Sequence, residues 1–198
     1  LAAPISRGEV EALYADQMVW EETCLWSRRD RRVEARRRLM LGAVALEDRI
    51  WKDAPGEAIA AAMTEGMRDL GLARLPWSKA ARLLTARAAW ARACGAEIVD
   101  LSEQGLLDRL DDWLTPHLLG VRSVEGLEAL NLTEILAAEL GWDGKQTLDR
   151  LAPSSIAAPT GTRMAVDYSG VQPSVAVRLQ ELFGLDQHPV VGPDRTPL

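Results

Sequence analysis

The chain has 198 residues, of which 47% are hydrophobic and 26% charged, with a formal net charge of -6 and a pI near 5.1. That length suits one ordinary domain or two small ones, and the apolar fraction excludes wholesale disorder and collagen-like structure. No uninterrupted apolar run approaches the roughly 18 residues that cross a bilayer, so no membrane association is expected.

The two cysteines, Cys24 and Cys94, and the two histidines, His117 and His188, are widely spaced. Neither a disulfide framework nor a metal site can be assembled from them, and the expected compartment is a reducing cytoplasm. Cys94 follows Trp90 by one helical turn and reads as a buried thiol. The start at Leu1 and the proline-rich tail read as the ends of a piece of something longer.

Charge is distributed unevenly. Residues 1–52 hold ten Lys and Arg against nine Asp and Glu, whereas residues 53–198 hold thirteen against twenty. Within the first part, Ser27–Arg38 carries Arg28, Arg29, Arg31, Arg32, Arg36, Arg37 and Arg38 against only Asp30 and Glu34. The acidic average therefore conceals one strongly basic spot.

Arg7–Gln17 reads as a short helix. Met18–Ser27 then alternates, with Met18, Trp20, Cys24 and Trp26 on one parity. Arg28–Arg32 is a polar turn. Val33–Met40 alternates again, Val33, Ala35 and Leu39 opposite Glu34, Arg36 and Arg38, with Arg37 interrupting the apolar face. Gly42 breaks the run and Ala43–Trp51 resumes it, so a hairpin plus a third strand is expected. Three strands make a thin core, and upstream strands are expected to complete it.

From about residue 53 the period becomes helical. Asp53 is the expected cap of a helix with Pro55 in its first turn and Gly71 at its end. Ser78 caps a second helix carrying Leu84, Ala88, Ala91 and Cys94. Ser102 starts a third with Leu106, Leu110, Trp113 and Leu114, stopped by Pro116. Short helices follow at Val124–Leu130, at Glu134–Leu140 with Thr133 as cap, and at Lys145–Leu151. Trp77, Trp90, Trp113 and Trp142 are expected to fill helical cores. Beyond Pro153, Ser155–Ala158 and Thr162–Tyr168 can pair as a hairpin, and Val175, Leu179, Leu182 and Phe183 are spaced for a helix closed by Gly184. Asp186–Leu198 reads as a loop. The fold class expected is α+β and mainly helical: a β-rich part over 1–52, then over 53–198 a bundle of short helices and a small hairpin plus helix.

No motif supplies catalysis. Gly141–Thr147 superficially looks like a phosphate-binding loop, but Gln146 occupies the magnesium-binding hydroxyl position and no buried strand precedes it. Asp111 and Asp112 are adjacent, hence about 100° apart on a helix, which suits solubilising charge better than a shared proton. There is no Gly-x-Ser-x-Gly elbow and no clustered Cys/His set. No catalytic, cofactor-binding or metal-binding residue is assigned. The arginine hairpin is the one functional candidate: its guanidiniums can contact phosphates, and Trp20 or Trp26 could offer a stacking face. The same hairpin also reads as a solvated element whose arginines pair with Glu21, Glu22, Asp30 and Glu34.

Several segments together resemble a family. Leu75-Pro76-Trp77-Ser78 with Ala80-Ala81-Arg82-Leu83 is similar to a helical segment of HrpB-type ATP-dependent helicases, as is Leu110-Asp111-Asp112-Trp113-Leu114 with Gly120-Val121-Arg122-Ser123. The most specific likeness is Leu148-Asp149-Arg150-Leu151-Ala152-Pro153, followed by Pro159-Thr160-Gly161-Thr162-Arg163 and Asp167-Tyr168-Ser169, continuing through Ala176–Leu185. Leu1–Ile5 and Arg38–Leu46 extend it to essentially the whole chain. The resemblance implies that 1–52 are closing strands of an OB-like domain and 53–198 most of a C-terminal helicase-associated region. It further implies an ATP- and Mg-dependent motor elsewhere in the parent protein, with the helicase core of the same polypeptide and single-stranded RNA as partners. The phosphate-binding and DEAH motifs are absent from these residues.

Two functions follow as expectations. One is an auxiliary RNA-binding role centred on Arg28, Arg29, Arg31, Arg32, Arg36, Arg37 and Arg38. The other is a structural or protein-interaction role, favoured by the acidity of 53–198.

Overall fold

A computed structural model describes residues 4–198; Leu1–Ala3, part of the N-terminal segment of the resemblance, lie outside the described residues. The architecture is α+β and mainly helical, with small antiparallel sheets. It divides into two compact units, Leu1–Arg74 with Thr115–Leu127 and Leu75–Leu114 with Glu128–Leu198. The pattern-based division at 52/53 would separate the first sheet from the helix that packs on it.

In the first unit, Ser6 caps α1 (Arg7–Tyr14) through a reciprocal box: the Glu9 amide donates to the Ser6 hydroxyl, and the Glu9 carboxylate accepts the Ser6 amide at 2.8 Å. β1 (Met18–Ser27) and β2 (Arg32–Leu41) pair along their full length from Met18–Leu41 to Ser27–Arg32. Gly42, at φ 56°, turns the chain into β3 (Val44–Ile50), and the register slips between Leu39 and Met40.

Strand alternation then sorts the side chains. Trp26, Val33, Cys24 and Ala35 share the inner face, where Val33 and Ala35 are buried. Against this face lies α2 (Gly56–Leu70), which buries Ile59, Ala60, Met63, Gly66 and Met67. Gly66 is needed there: a Cβ on it would lie 2.6 Å from the Trp26 ring. The helix starts at Gly56 with Pro55 in the capping position and no side-chain cap, so Asp53 does not cap it as expected. Pro55 has no amide hydrogen and enters with extended backbone, which moves the helix start past Asp53.

In the second unit, Ser78 caps α3 (Lys79–Ala93) and Ser102 caps α4 (Glu103–Asp108), each hydroxyl accepting the amide three residues on. A single turn, α5 (Leu110–Trp113), follows. Leu106, Leu110, Trp113, Leu136 and Leu148 are fully buried, and the Trp113 indole N–H donates to the Leu106 carbonyl at 2.8 Å. The expected pair of helices after residue 130 forms α6 (Leu132–Leu151), broken at Gly141, whose φ of 64° and ψ of -177° are non-helical. Its cap is Asn131 rather than Thr133, because the Asn131 side chain accepts the Glu134 amide. The break resets the helical phase, and Trp142 emerges 71% exposed instead of filling the core.

Arg87 fastens α3 to the end of α6. It is buried, donating from Nε to the Ala152 carbonyl and from Nη2 to Asp149, both at 2.6 Å. Next to it, β4 (Ser155–Ala157) pairs with β5 (Arg163–Asp167), which in turn pairs with β6 (Ser174–Val175). Met164, Val166 and Tyr168 are buried on one face, as their alternation requires.

The helix expected from Val175 does not form. Val175 is already paired with Val166, leaving a one-turn 3-10 helix at Leu179–Leu182 with Leu179 and Phe183 exposed. An isolated turn without a partner face cannot repay the cost of nucleating an α-helix. The tail, expected as loop, closes as a minimal hairpin, β7 (Val190–Val191) with β8 (Thr196–Pro197).

Two consequences can be measured. Gly66→Ala forces the Trp26 ring to move and should cost about 1–3 kcal/mol, read as a lowered thermal midpoint. Burial raises the Tyr168 hydroxyl, a donor to the Pro153 carbonyl, from the usual value near 10 to about 12. The folded state thus favours the protonated phenol, so its contribution to stability is full below pH 10 and is lost as pH rises towards 12. Tyr168→Phe should weaken that alkaline loss in thermal melts.

Candidate nucleic-acid interface

The seven arginines of the hairpin do not form one patch, because the β1–β2 register distributes them over two faces and a turn. Arg28, Arg29 and Arg31 occupy the turn and are exposed, with Arg31 in the left-handed region at φ 51°. The turn is tied by Ser27, whose hydroxyl donates to the Asp30 carboxylate and accepts the Asp30 amide. Arg28 reaches back to Asp69 of α2, Nε to Oδ1 3.0 Å, yet stays 80% exposed. The same carboxylate accepts the Trp26 indole N–H at 3.1 Å. Trp26 is therefore anchored to α2, its N–H on Asp69 and its ring against Gly66.

Arg37 projects on the inner parity, opposite Glu22 and Arg49. Its guanidinium and that of Arg49 lie over the Trp20 ring, 5.0 and 4.4 Å from the centroid. Arg37 Nε is 3.1 Å from Glu22 Oε1, close enough for charge pairing, but the N–H is buried without an aligned acceptor. Arg37 and Trp20 are thus engaged with each other, on the side of the sheet away from Arg36 and Arg38.

The outer face carries Arg32, Arg36 and Arg38, with Glu34 between the first two in β2 and Glu21, Thr23, Leu25 and Ile50 on the neighbouring strands. Leu25 and Ile50 are 65% and 61% exposed, so apolar surface lies open among the cations. Asp48 is shared: its Oδ2 accepts from Arg38 Nε at 3.2 Å, and its Oδ1 lies 3.7 Å from Arg36 Nη1. Arg29 and Arg32 form no ion pair among the described residues. The solvated-hairpin expectation is met at Glu22, but the other carboxylates used are Asp48 and Asp69 rather than Glu21 or Glu34.

One residue joins this face that the hairpin pattern did not reveal. β3 ends at Ile50, and beyond it the edge of β2 is met by Arg122 and Ser123: the Val33 amide donates to the Arg122 carbonyl at 2.7 Å, and Arg32 bridges Ser123. The Arg122 guanidinium donates to the Lys52 carbonyl at 3.3 Å. A hydrogen bond from Ser123, aided by the charge of Arg31, holds the Glu125 carboxyl below the usual carboxylate range. Only the segment Gly120–Ser123 in the family resemblance marked this stretch, with no hint that it reaches the hairpin.

Among the described residues, no cluster of His, Cys, Asp and Glu is arranged to hold a metal ion, and no helix is long and apolar enough to cross a membrane. Gly141–Thr147 lies across the α6 break and forms no strand-to-helix loop.

Residues 113–198 match the family model described as ATP-dependent helicase C-terminal. The chain is 34% identical over 182 residues to the ATP-dependent RNA helicase HrpB of Escherichia coli strain K12, covering 89% of this chain and 22% of the relative. A crystal structure of the Escherichia coli DEAH/RHA helicase HrpB superposes with a TM-score of 0.71 at 31% identity, over 92% of this chain and 24% of that one. A crystal structure of the E. coli DExH-box NTPase HrpB gives 0.71 at 29% identity, over 98% and 24%. In sequence and in structure, this α+β chain is thus similar to part of an ATP-dependent helicase, and residues 113–198 match the C-terminal family of such helicases. The chain is similar to the HrpB type along most of its length, and it spans about a fifth of the length of the relative it matches.

The shared carboxylate of α2 is open to test. Asp69→Ala removes the acceptor of both Trp26 and Arg28 and should destabilise the chain by about 1 kcal/mol, with a changed Trp fluorescence maximum.

Proposed function

We propose that this chain is an auxiliary RNA-binding region of an ATP-dependent RNA helicase, in which the basic hairpin holds a single strand beside the ATPase motor of the parent protein. The observation that carries the reading is the outer sheet face. Arg32, Arg36 and Arg38 stand there in one row of β2 with Glu34 between the first two, flanked on the neighbouring strands by exposed Leu25 and Ile50, and the row continues into the exposed turn Arg28–Arg31. Guanidiniums beside apolar surface suit a strand whose phosphates carry charge and whose bases carry flat apolar faces. The three-stranded meander fits the closing strands of an OB-like barrel, a common single-strand platform. ATP with Mg belongs to the motor of the parent, and the helicase core of the same polypeptide is the protein partner. The compartment of such an RNA enzyme is the cytoplasm.

A specific observation favours a second role for the other unit. Leu75–Leu114 with Glu128–Leu198 carries ten Lys and Arg against fifteen Asp and Glu, a charge of -5 that repels a phosphate backbone. That unit serves as a structural or protein-docking element.

The test is a salt titration of binding to single-stranded RNA by the 198-residue chain. Micromolar affinity that falls steeply with salt supports the reading, whereas no binding at low salt moves the whole chain to the scaffold role. Arg36→Glu with Arg38→Glu should weaken binding at least about tenfold and flatten the log–log salt slope by about one for each phosphate that is no longer neutralised. Asp48→Asn releases both arginines from their shared carboxylate and should strengthen binding about two- to threefold.

A further inference from the structure

Where β3 stops short of the end of β2, the sheet edge opens into a cleft of about 310 Å³. Arg32 and Arg36 line it from β2, and Arg122 with Ser123 closes it from the segment that takes over the pairing. Ile50 forms an apolar wall, and Glu34 is the one carboxylate in the lining.

We infer that this cleft is a nucleotide seat, which holds one phosphodiester of an RNA strand on Arg32, Arg36 and Arg122 and rests the attached ribose and base against Ile50. The inference deepens the RNA-binding reading and rests on it. Four observations support it.

The charge is right and only loosely engaged elsewhere, Arg36 with Asp48 and Arg122 with the Lys52 carbonyl. Three guanidiniums face one carboxylate; Arg32 has no ion pair among the described residues, and the Arg36–Asp48 approach of 3.7 Å is longer than an aligned charge-assisted hydrogen bond. The size is right. A volume near 310 Å³ lies at the lower end of ligand-sized pockets, more than a bare phosphate fills and comparable with a single nucleotide. The lining is mixed, since the exposed Ile50 side chain gives a base an apolar face beside the cations.

Finally, the cleft is held in place. The Val33–Arg122 hydrogen bond of 2.7 Å fixes one lip, the Trp51 amide donating to the Ala35 carbonyl at 2.9 Å fixes the other, and Arg122 is oriented by the Lys52 carbonyl. A positioned guanidinium loses less freedom on binding than one on a mobile turn, so Arg122 should contribute more than Arg29 despite lying outside the hairpin.

The experiment uses the 198-residue chain and a fluorescently labelled oligouridylate of about ten nucleotides, with affinity measured across a salt series. Arg122→Gln removes the charge and one exposed 3.3 Å hydrogen bond, so it should melt close to the unaltered chain. It should nevertheless lower affinity about five- to tenfold and reduce the salt slope by about one, a larger loss than Arg29→Gln produces. In a parallel NMR titration, the Arg122 Nε–Hε resonance should shift on addition of the oligonucleotide.

If Arg122→Gln binds like the unaltered chain and its resonance stays still while Arg36→Glu with Arg38→Glu weakens binding, the seat is wrong and the hairpin reading stands. If the unaltered chain binds no oligouridylate, the hairpin reading fails and the seat fails with it. Should Arg122→Gln fail to fold, Arg122→Lys, which keeps the cation but loses the bidentate fork, is read instead. A lowered affinity with an unchanged salt slope supports the seat, and an affinity equal to that of the unaltered chain overturns it.

Discussion

The packing of Trp26 on Gly66 decides how the basic hairpin is displayed. Strand side chains alternate, so the register that lays the Trp26 ring on α2 also turns Cys24, Val33 and Ala35 inward and Arg32, Arg36 and Arg38 outward. A slip of one residue would bury arginines against Met63 and Met67, at a desolvation cost of several kcal/mol per charge. The apolar face that stabilises the sheet therefore also enforces the charge pattern on its other face. Asp69 reinforces the arrangement by holding the indole N–H of Trp26 and the guanidinium of Arg28 at once.

The carboxylates near the hairpin do not cancel it. Exposed ion pairs contribute about 0–1 kcal/mol and are screened within a Debye length of about 8 Å at physiological salt. Asp48 and Asp69 thus orient Arg36, Arg38 and Arg28 rather than consuming them, and a phosphate can displace or share these partners at small cost. Arg37 is a different case. It is stacked with Arg49 on Trp20, half-buried, and close to Glu22, so withdrawing it for a ligand would break several interactions together. The seven arginines that look equivalent along the chain are divided by structure into displayed and engaged groups.

What could be read from the residues was whatever is local. Alternation defined the three strands and both faces of the second hairpin, where Met164, Val166 and Tyr168 are buried as their spacing requires. Ser78 and Ser102 marked two helix starts, and Gly141 separated two helical segments. Illegible features depended on partners remote in sequence. The apolar spacing from Val175 to Phe183 fits a helix, but Val175 is claimed by β5 and nothing covers Leu179 and Phe183. Trp142 has core chemistry and emerges into solvent because one glycine changes the helical phase ahead of it. Arg122 reaches the hairpin only because β3 ends early and leaves an edge of β2 to be paired by another segment. No periodicity reports an arginine supplied from so far along the chain.

A net charge of -6 does not describe the chain uniformly. Counterion release depends on how many cations meet phosphates at close range rather than on the net charge of the whole chain. The basic residues are concentrated on one hairpin and its edge, while the unit built from Leu75–Leu114 and Glu128–Leu198 holds most of the acidic excess. That unit spends its one buried arginine internally, with Arg87 fastening α3 to the end of α6 rather than facing a ligand. Segregation of this kind leaves the hairpin as the part of the chain where contacts to phosphate would be favourable, since the acidic unit repels a phosphate backbone. An overall acidic chain can in this way display one strongly basic surface instead of a uniformly repulsive one.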